Sequence, residues 1–179
     1  MKNDPVWLKN AQIVPSPNFD TRPNNTEINL LVIHCISLPP GEYGGPHIND
    51  FFQNKLTPEK HPYFAEIFEM QVSAHLLIRR DGHIIQFVDL NKRAWHAGVS
   101  SFQGREKCND YSIGIELEGT DQDSYTNEQY DALNHTIEQI RSIYPAITQD
   151  RITGHSDIAP QRKTDPGVGF IWEKIDIKN

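Results

Sequence analysis

The sequence predicts an α/β fold: a single domain in which a mixed central β-sheet is flanked by helices. Three stretches carry this reading. Asn29-Leu30-Leu31-Val32-Ile33-His34 is a short, nearly continuous apolar run, the pattern of a central strand buried on both faces. Val72 to Val88 contains two β-type runs around Asp81-Gly82, a hairpin signature. Thr126 to Tyr144 repeats its apolar residues at helical spacing. Strands and helices that interleave in this way, with one hairpin among them, form a mixed sheet with helices packed on it.

Taken in order, residues 1–28 are polar and proline-rich (Pro5, Pro15, Pro17, Pro23) and read as an arm lying over the domain, with Trp7 as its expected anchor. The buried strand follows and ends at His34. Ser37 to Pro46, dense in proline and glycine, is a loop. Ile48, Phe51, Phe52, the stem of Lys55 and Leu56 then follow helical spacing until Thr57-Pro58 stops them. After the hairpin comes a polar stretch from Arg93 to Asp110. Tyr111 to Gly119 alternates strictly, placing Ile113, Ile115 and Leu117 on one face and Gly114, Glu116 and Glu118 on the other. Thr126 with Gln129 resembles a capping box for a helix whose apolar face is Tyr130, Leu133, Ile137 and Ile140. The last segment, Gly154 to Gly167, is not expected to form a regular helix or strand. Pro160 and Pro166 remove donors, and Asp165 is biased to extended backbone by the proline after it.

A chain of 179 residues suffices for one domain with a full core and falls short of two. Its formal net charge of -7 argues against nucleic acid or an anionic membrane as the main partner, since both reward a basic face. No apolar run approaches the roughly 20 residues that span a bilayer. The N-terminus lacks the apolar core of a secretory signal, and the two cysteines, Cys35 and Cys108, read as reduced thiols. A cytoplasmic protein is expected.

Of the eight histidines, His47, His61, His83 and His135 read as structural or surface residues, and His75 as a satisfied core histidine. His34 differs because it ends a buried strand where a glycine-rich loop begins, the place where α/β sheets put functional side chains. His155 likewise follows a short apolar stretch and a glycine. With Asp165 these make three ligands and one open position, the arrangement of a catalytic zinc, one per chain. The rival reading is an ordinary polar loop, since the spacing forms no compact motif. Glu116, beside a glycine that leaves room for a ligand, is placed to take a proton from water if its face lines a cleft; otherwise it and Glu118 face solvent. Burial beside Glu118 would raise its pKa. Lys163 is within reach of an oxyanion. A Cys35–His34 nucleophile–base pair is a further reading, weakened because adjacent strand residues point to opposite faces.

Several long motifs occur in the order of one family. They include Val14-Pro15-Ser16-Pro17-Asn18, His34 followed by Ile36 to Glu42, Val72-Ser73-Ala74-His75, and Leu77 to Gly82. Lys92 to Ser100, Ser112 to Asp121, and Gly154-His155 through Arg162 to Gly167 continue the series. The chain thereby resembles the zinc-dependent N-acetylmuramoyl-L-alanine amidases, a family that includes peptidoglycan recognition proteins. It is most similar to their cytoplasmic branch acting on anhydro-muropeptides. The resemblance implies His34, His155 and Asp165 as zinc ligands, Glu116 as base and Lys163 as oxyanion stabiliser. The implied substrate is an anhydro-muropeptide, cut between the lactyl group and L-alanine during cell-wall recycling, with no obligate protein partner. Trp95 would face the sugar, and Arg105, Lys107 and Arg162 the peptide carboxylates. Cys35 stands where relatives usually carry Asn, so a weaker substrate hydrogen bond is expected there. Two rivals are a binding module of the same fold and a lytic amidase acting on intact wall.

Overall fold

A computed structural model describes residues 4–175; the expected limits at residues 1–3 and 176–179 lie outside the described residues. In chain order the strands are β1 (Gln12–Ile13), β2 (Phe19–Thr21), β3 (Leu30–Ile36), β4 (Leu76–Ile78), β5 (Ile84–Gln86), β6 (Lys92–Ala94), β7 (Ser101–Phe102), β8 (Arg105–Glu106), β9 (Ser112–Glu118) and β10 (Ile152–Gly154). The helices are α1 (His47–Phe52), α2 (Pro62–Ile67), α3 (Asn127–Ile143) and α4 (His155–Ile158). Six strands form one sheet in the order β1-β5-β4-β9-β3-β10, and β2–β6 and β7–β8 form separate pairs. Only β4–β5 is antiparallel within the main sheet, so the sheet is mixed.

The alternation in β9 splits its side chains between two layers. Ile113, Ile115 and Leu117 pack with Leu31 and Ile33 against Leu133, Ile137 and Ile140 of α3. Fully burying each such side chain contributes roughly 1.5–3 kcal/mol. The opposite face is covered by α1, α2 and the 92–111 segment, with Phe51, Phe52 and Phe64 on Leu77 and Ile85. All seven residues of β9 are therefore buried. Helix α3 opens as its sequence foretold: Gln129 N–H donates to Thr126 Oγ1 at 3.1 Å while Thr126 N–H donates to Gln129 Oε1 at 3.2 Å.

Five local features differ from expectation. The Gly154 to Gly167 segment, expected to hold no regular element, opens with one helical turn, α4. In the hairpin only Gly82 has positive φ, +82°, with Gly82 N–H bonded to Arg79 O and Arg79 N–H to His83 O. Arg80-Asp81 is thus the turn, and the glycine is a left-handed bulge rather than half of a two-residue loop. Helix α1 stops early, at Phe52, and Asn54 turns the chain with φ +58°. Helix α2 was unforeseen, although Pro62 at its first position and a His61 side-chain cap start it conventionally. The arm pairs its β1 with β5 at the sheet edge and is anchored by Leu8, 4% exposed, whereas Trp7 is 37% exposed. Buried Arg22 fastens it further, donating to the carbonyls of Leu90, Asn109, Asp110 and Ser112.

Candidate metal centre

Three neighbouring strand ends assemble the site. His34 on β3 lies in register with Glu116 on β9, and β10 runs parallel to β3 on its other side. β10 ends at Gly154, so His155 emerges beside His34 on the one-turn helix α4. Asp157 caps that turn by accepting from Gly154 N–H at 2.8 Å and Thr153 Oγ1 at 2.9 Å. The chain then doubles back: Ser156 N–H bonds Asp165 O at 2.9 Å and Pro166 packs over Gly154. A Cβ at Gly154 would lie 2.8 Å from Pro166 Cδ, so glycine is what lets the Asp165 loop close.

His34 Nδ1, His155 Nδ1 and Asp165 Oδ2 converge with mutual separations of 3.0, 3.1 and 3.0 Å. His155 Nε2 lies 3.1 Å from the Ala97 carbonyl, an obligate acceptor, so a neutral ring carries its proton there. It then turns a bare lone pair toward the Asp165 carboxylate, a contact that holds only with a cation between them, a proton or a metal ion. One proton cannot bridge three donors, whereas tetrahedral ligands about 2.0–2.1 Å from zinc sit roughly 3.3 Å apart. The residues fit a metal ion. Burial pushes Asp165 upward, but the close contacts with His155 and His34 outweigh it and hold the carboxyl below the usual range. Burial takes His34 down to about 4.

The cluster opens into a cavity of about 410 Å³ that Glu116, Lys163, Trp95 and Cys35 also border. Phe51, Phe52, Tyr63, Ile67 and Val72 give it apolar lining, and Ser37, Leu38 and Pro40 also border it. Glu116 is 8% exposed, and its Oε2 is buried with no hydrogen-bond partner among the described residues. Burial, then the charge of Asp165, raise its pKa well above the ordinary value, with Lys163 opposing. Glu118 is not a contributor. It is 1% exposed and accepts from Gly44 N–H at 2.8 Å, Arg79 Nη1 at 3.1 Å and Arg80 N–H at 3.2 Å, which ties the 37–46 loop to the hairpin.

The three cations expected to meet the peptide do not line this cavity. The Arg105 guanidinium lies over the Tyr111 ring, 3.8 Å from its centroid. Arg162 Nη2 donates to the carbonyls of Ala97 and Val99, and with Lys107 it borders a separate hollow beside Pro160. Cys35 packs its side chain toward the α3 side of the core, and burial pushes the thiol up to about 12, which leaves little thiolate for a nucleophile. His75 is a satisfied core histidine whose Nδ1 accepts from Gly114 N–H at 3.0 Å. Sequence reasoning passed over His96, whose Nδ1 is 2.9 Å from His34 Nε2. The signal was Gly114: its missing side chain makes room for the His96 ring, 2.5 Å from where a Cβ would be, and not for a ligand.

Comparison with known proteins places this geometry. The model of the N-acetylmuramoyl-L-alanine amidase family matches residues 24–168. The chain is 58% identical over 167 residues to the 1,6-anhydro-N-acetylmuramyl-L-alanine amidase AmpD of Haemophilus influenzae, covering 93% of this chain and 91% of that one. It is 56% identical over 171 residues to the protein of the same name from Escherichia coli, covering 96% and 93%. A crystal structure of a selenomethionine AmpD derivative superposes with a TM-score of 0.93 at 56% identity, covering 98% of this chain and 97% of that one. The amidase AmiD of Escherichia coli, solved with anhydro-N-acetylmuramic acid-L-Ala-D-gamma-Glu-L-Lys, superposes with a TM-score of 0.62 at 29% identity, covering 87% and 59%.

Proposed function

Because the chain belongs to the N-acetylmuramoyl-L-alanine amidase family, we propose that it is a zinc hydrolase acting on anhydro-muropeptides. It cleaves the amide between anhydro-N-acetylmuramic acid and the L-alanine of the stem peptide, in cytoplasmic peptidoglycan recycling. Residues 1–179 act as one amidase domain with residues 1–28 as its N-terminal arm, the described part of which packs on the sheet edge. The carrying observation is the convergence of His34, His155 and Asp165 in a cavity shared with an unpartnered, buried Glu116. No described helix is long and apolar enough to cross a membrane.

His34, His155 and Asp165 hold the zinc, one per chain, which when bound polarises a carbonyl and acidifies water. Glu116 accepts the proton of the attacking water and returns it to the departing alanine nitrogen; its raised proton affinity suits both transfers. Lys163, on the same cavity, faces the negative charge that develops on the scissile carbonyl oxygen. Trp95 and the apolar lining receive the anhydro sugar. Arg162 supports the site from behind, since it shares the Ala97 carbonyl with His155.

The test is mass spectrometry of anhydro-muramyl tripeptide incubated with the protein, with and without a strong zinc chelator. Free tripeptide whose release the chelator abolishes and added zinc restores is the expected result. Intact substrate with zinc present would make the protein a binding module. Solubilisation of intact sacculi at a comparable rate would make it a lytic amidase.

A further inference from the structure

We propose that His96 is a positioning residue for the metal centre: it accepts the hydrogen bond that holds His34 with its Nδ1 lone pair free for the metal. The inference rests on reading the cluster as a zinc site and extends it to the layer beneath. A ligating imidazole must keep the proton on the nitrogen away from the metal, and that N–H needs an acceptor. For His34 the ligating atom is Nδ1, so the proton belongs on Nε2. The partner of Nε2 is His96 Nδ1, 2.9 Å away. His96 must then carry its own proton on Nε2, where Ser112 Oγ stands 3.1 Å off as acceptor. The two rings meet edge-on, with centroids 5.0 Å apart and planes at 86°, which aims the His34 N–H at the in-plane lone pair of His96.

The fold is built to keep this ring in place. Gly114 of β9 lies beneath it, and a Cβ there would be 2.5–2.8 Å from three ring atoms. On the backbone side, Asn109 Oδ1 accepts the N–H groups of His96 and Ala97 at 3.2 and 2.8 Å. The same short segment therefore serves both metal-binding histidines: the His96 side chain serves His34, and the Ala97 carbonyl serves His155 Nε2 at 3.1 Å. His34 and His155 come from distant parts of the chain, yet residues 96 and 97 fix the tautomers of both.

The test uses His96→Leu, which removes the acceptor, and His96→Asn, whose Oδ1 takes the place of Nδ1. Zinc affinity is read by competition with a chromophoric chelator. Tautomers are read by ¹⁵N NMR of the zinc-loaded protein. Loss of an outer partner costs about 10–100-fold in metal affinity, so the leucine variant should weaken by that much and the asparagine variant recover most of it. In the zinc-loaded wild type, His96 Nδ1 should be unprotonated and coupled across the hydrogen bond to His34 Nε2. Gly114→Ala, which displaces the ring, should weaken zinc binding like the leucine variant although His96 is intact. The proposal is overturned by a proton on His96 Nδ1 in the zinc-loaded wild type. It is also overturned if the leucine variant binds as tightly as wild type, or if asparagine restores nothing. The NMR result decides even where a variant does not fold. If wild type binds no zinc, the zinc reading itself has failed.

Discussion

Glu116 and Glu118 occupy one face of one strand, two residues apart, and the structure gives them different surroundings: Glu118 is bonded to three donors, and Glu116 Oε2 has no partner among the described residues. Replacing each with glutamine keeps the shape and removes the charge. Glu118→Gln breaks a buried ion pair with Arg79 and turns an amide NH₂ toward backbone donors at Gly44 or Arg80. Losing one partner of a buried pair costs about 3–5 kcal/mol, and the retained amide oxygen keeps the expected loss near 3. At about 2–4 °C per kcal/mol for a chain of this length, Tm should fall by roughly 6–12 °C. Turnover per folded molecule should change little. Glu116→Gln removes a charge that burial and Asp165 already disfavour. Its folded pKa is raised, so the ionised form weakens the fold above that pKa, and at pH 8 the glutamine variant should melt no lower than wild type. Losing a general base costs about 10²–10⁴-fold in turnover. Scanning fluorimetry of the chelator-treated protein and hydrolysis of anhydro-muramyl tripeptide by the zinc-loaded protein read the two effects separately. If Glu118→Gln loses turnover at unchanged Tm while Glu116→Gln stays active, the assignment of the two carboxylates is refuted.

Asp165→Ala should lose zinc on dialysis, whereas Glu116→Gln should retain one equivalent, both measured by elemental analysis; full zinc in the alanine variant would remove Asp165 from the ligand set. His75 gives a pH dependence. Burial, with Arg22 beside it, takes its folded pKa down to about 3 from 6.5, so between those values the unfolded chain holds the extra proton and stability falls as pH falls. Going from pH 7.5 to 5 should cost about 2 kcal/mol from this residue alone. His75→Asn should flatten the urea-unfolding profile over that range by the same amount, and an unchanged slope would contradict it. Thr126→Ala removes the α3 cap and should lower Tm by roughly 2–4 °C, for a loss of about 1 kcal/mol. No shift would mean that Gln129 alone holds the helix start.

What could be read from the sequence were the elements whose signals are local. The alternation of β9, the capping box of α3 and the bounded apolar run of β3 each declare themselves within a few residues. His34, His155 and Asp165, which the structure brings together, were only weakly marked by strand ends and a proline-bearing return loop; the family resemblance carried them as a set. The edge pairing of β1 was not, because a two-residue strand is defined by its partner β5 and not by its own residues. The cations were misplaced for a related reason. Arg105 and Arg162 were judged by charge, and nothing near them in sequence reveals the Tyr111 ring or the Ala97 carbonyl that engage them. The two carboxylates show the same limit most sharply. By residue type, spacing and face Glu116 and Glu118 are indistinguishable, and both are buried. What separates them is three donors supplied by Gly44, Arg79 and Arg80, from one loop and one hairpin, which satisfy Glu118 and leave Glu116 with none. A buried carboxylate without a partner is costly to the fold, so its place beside the His34–His155–Asp165 cluster supports the role of base proposed for it.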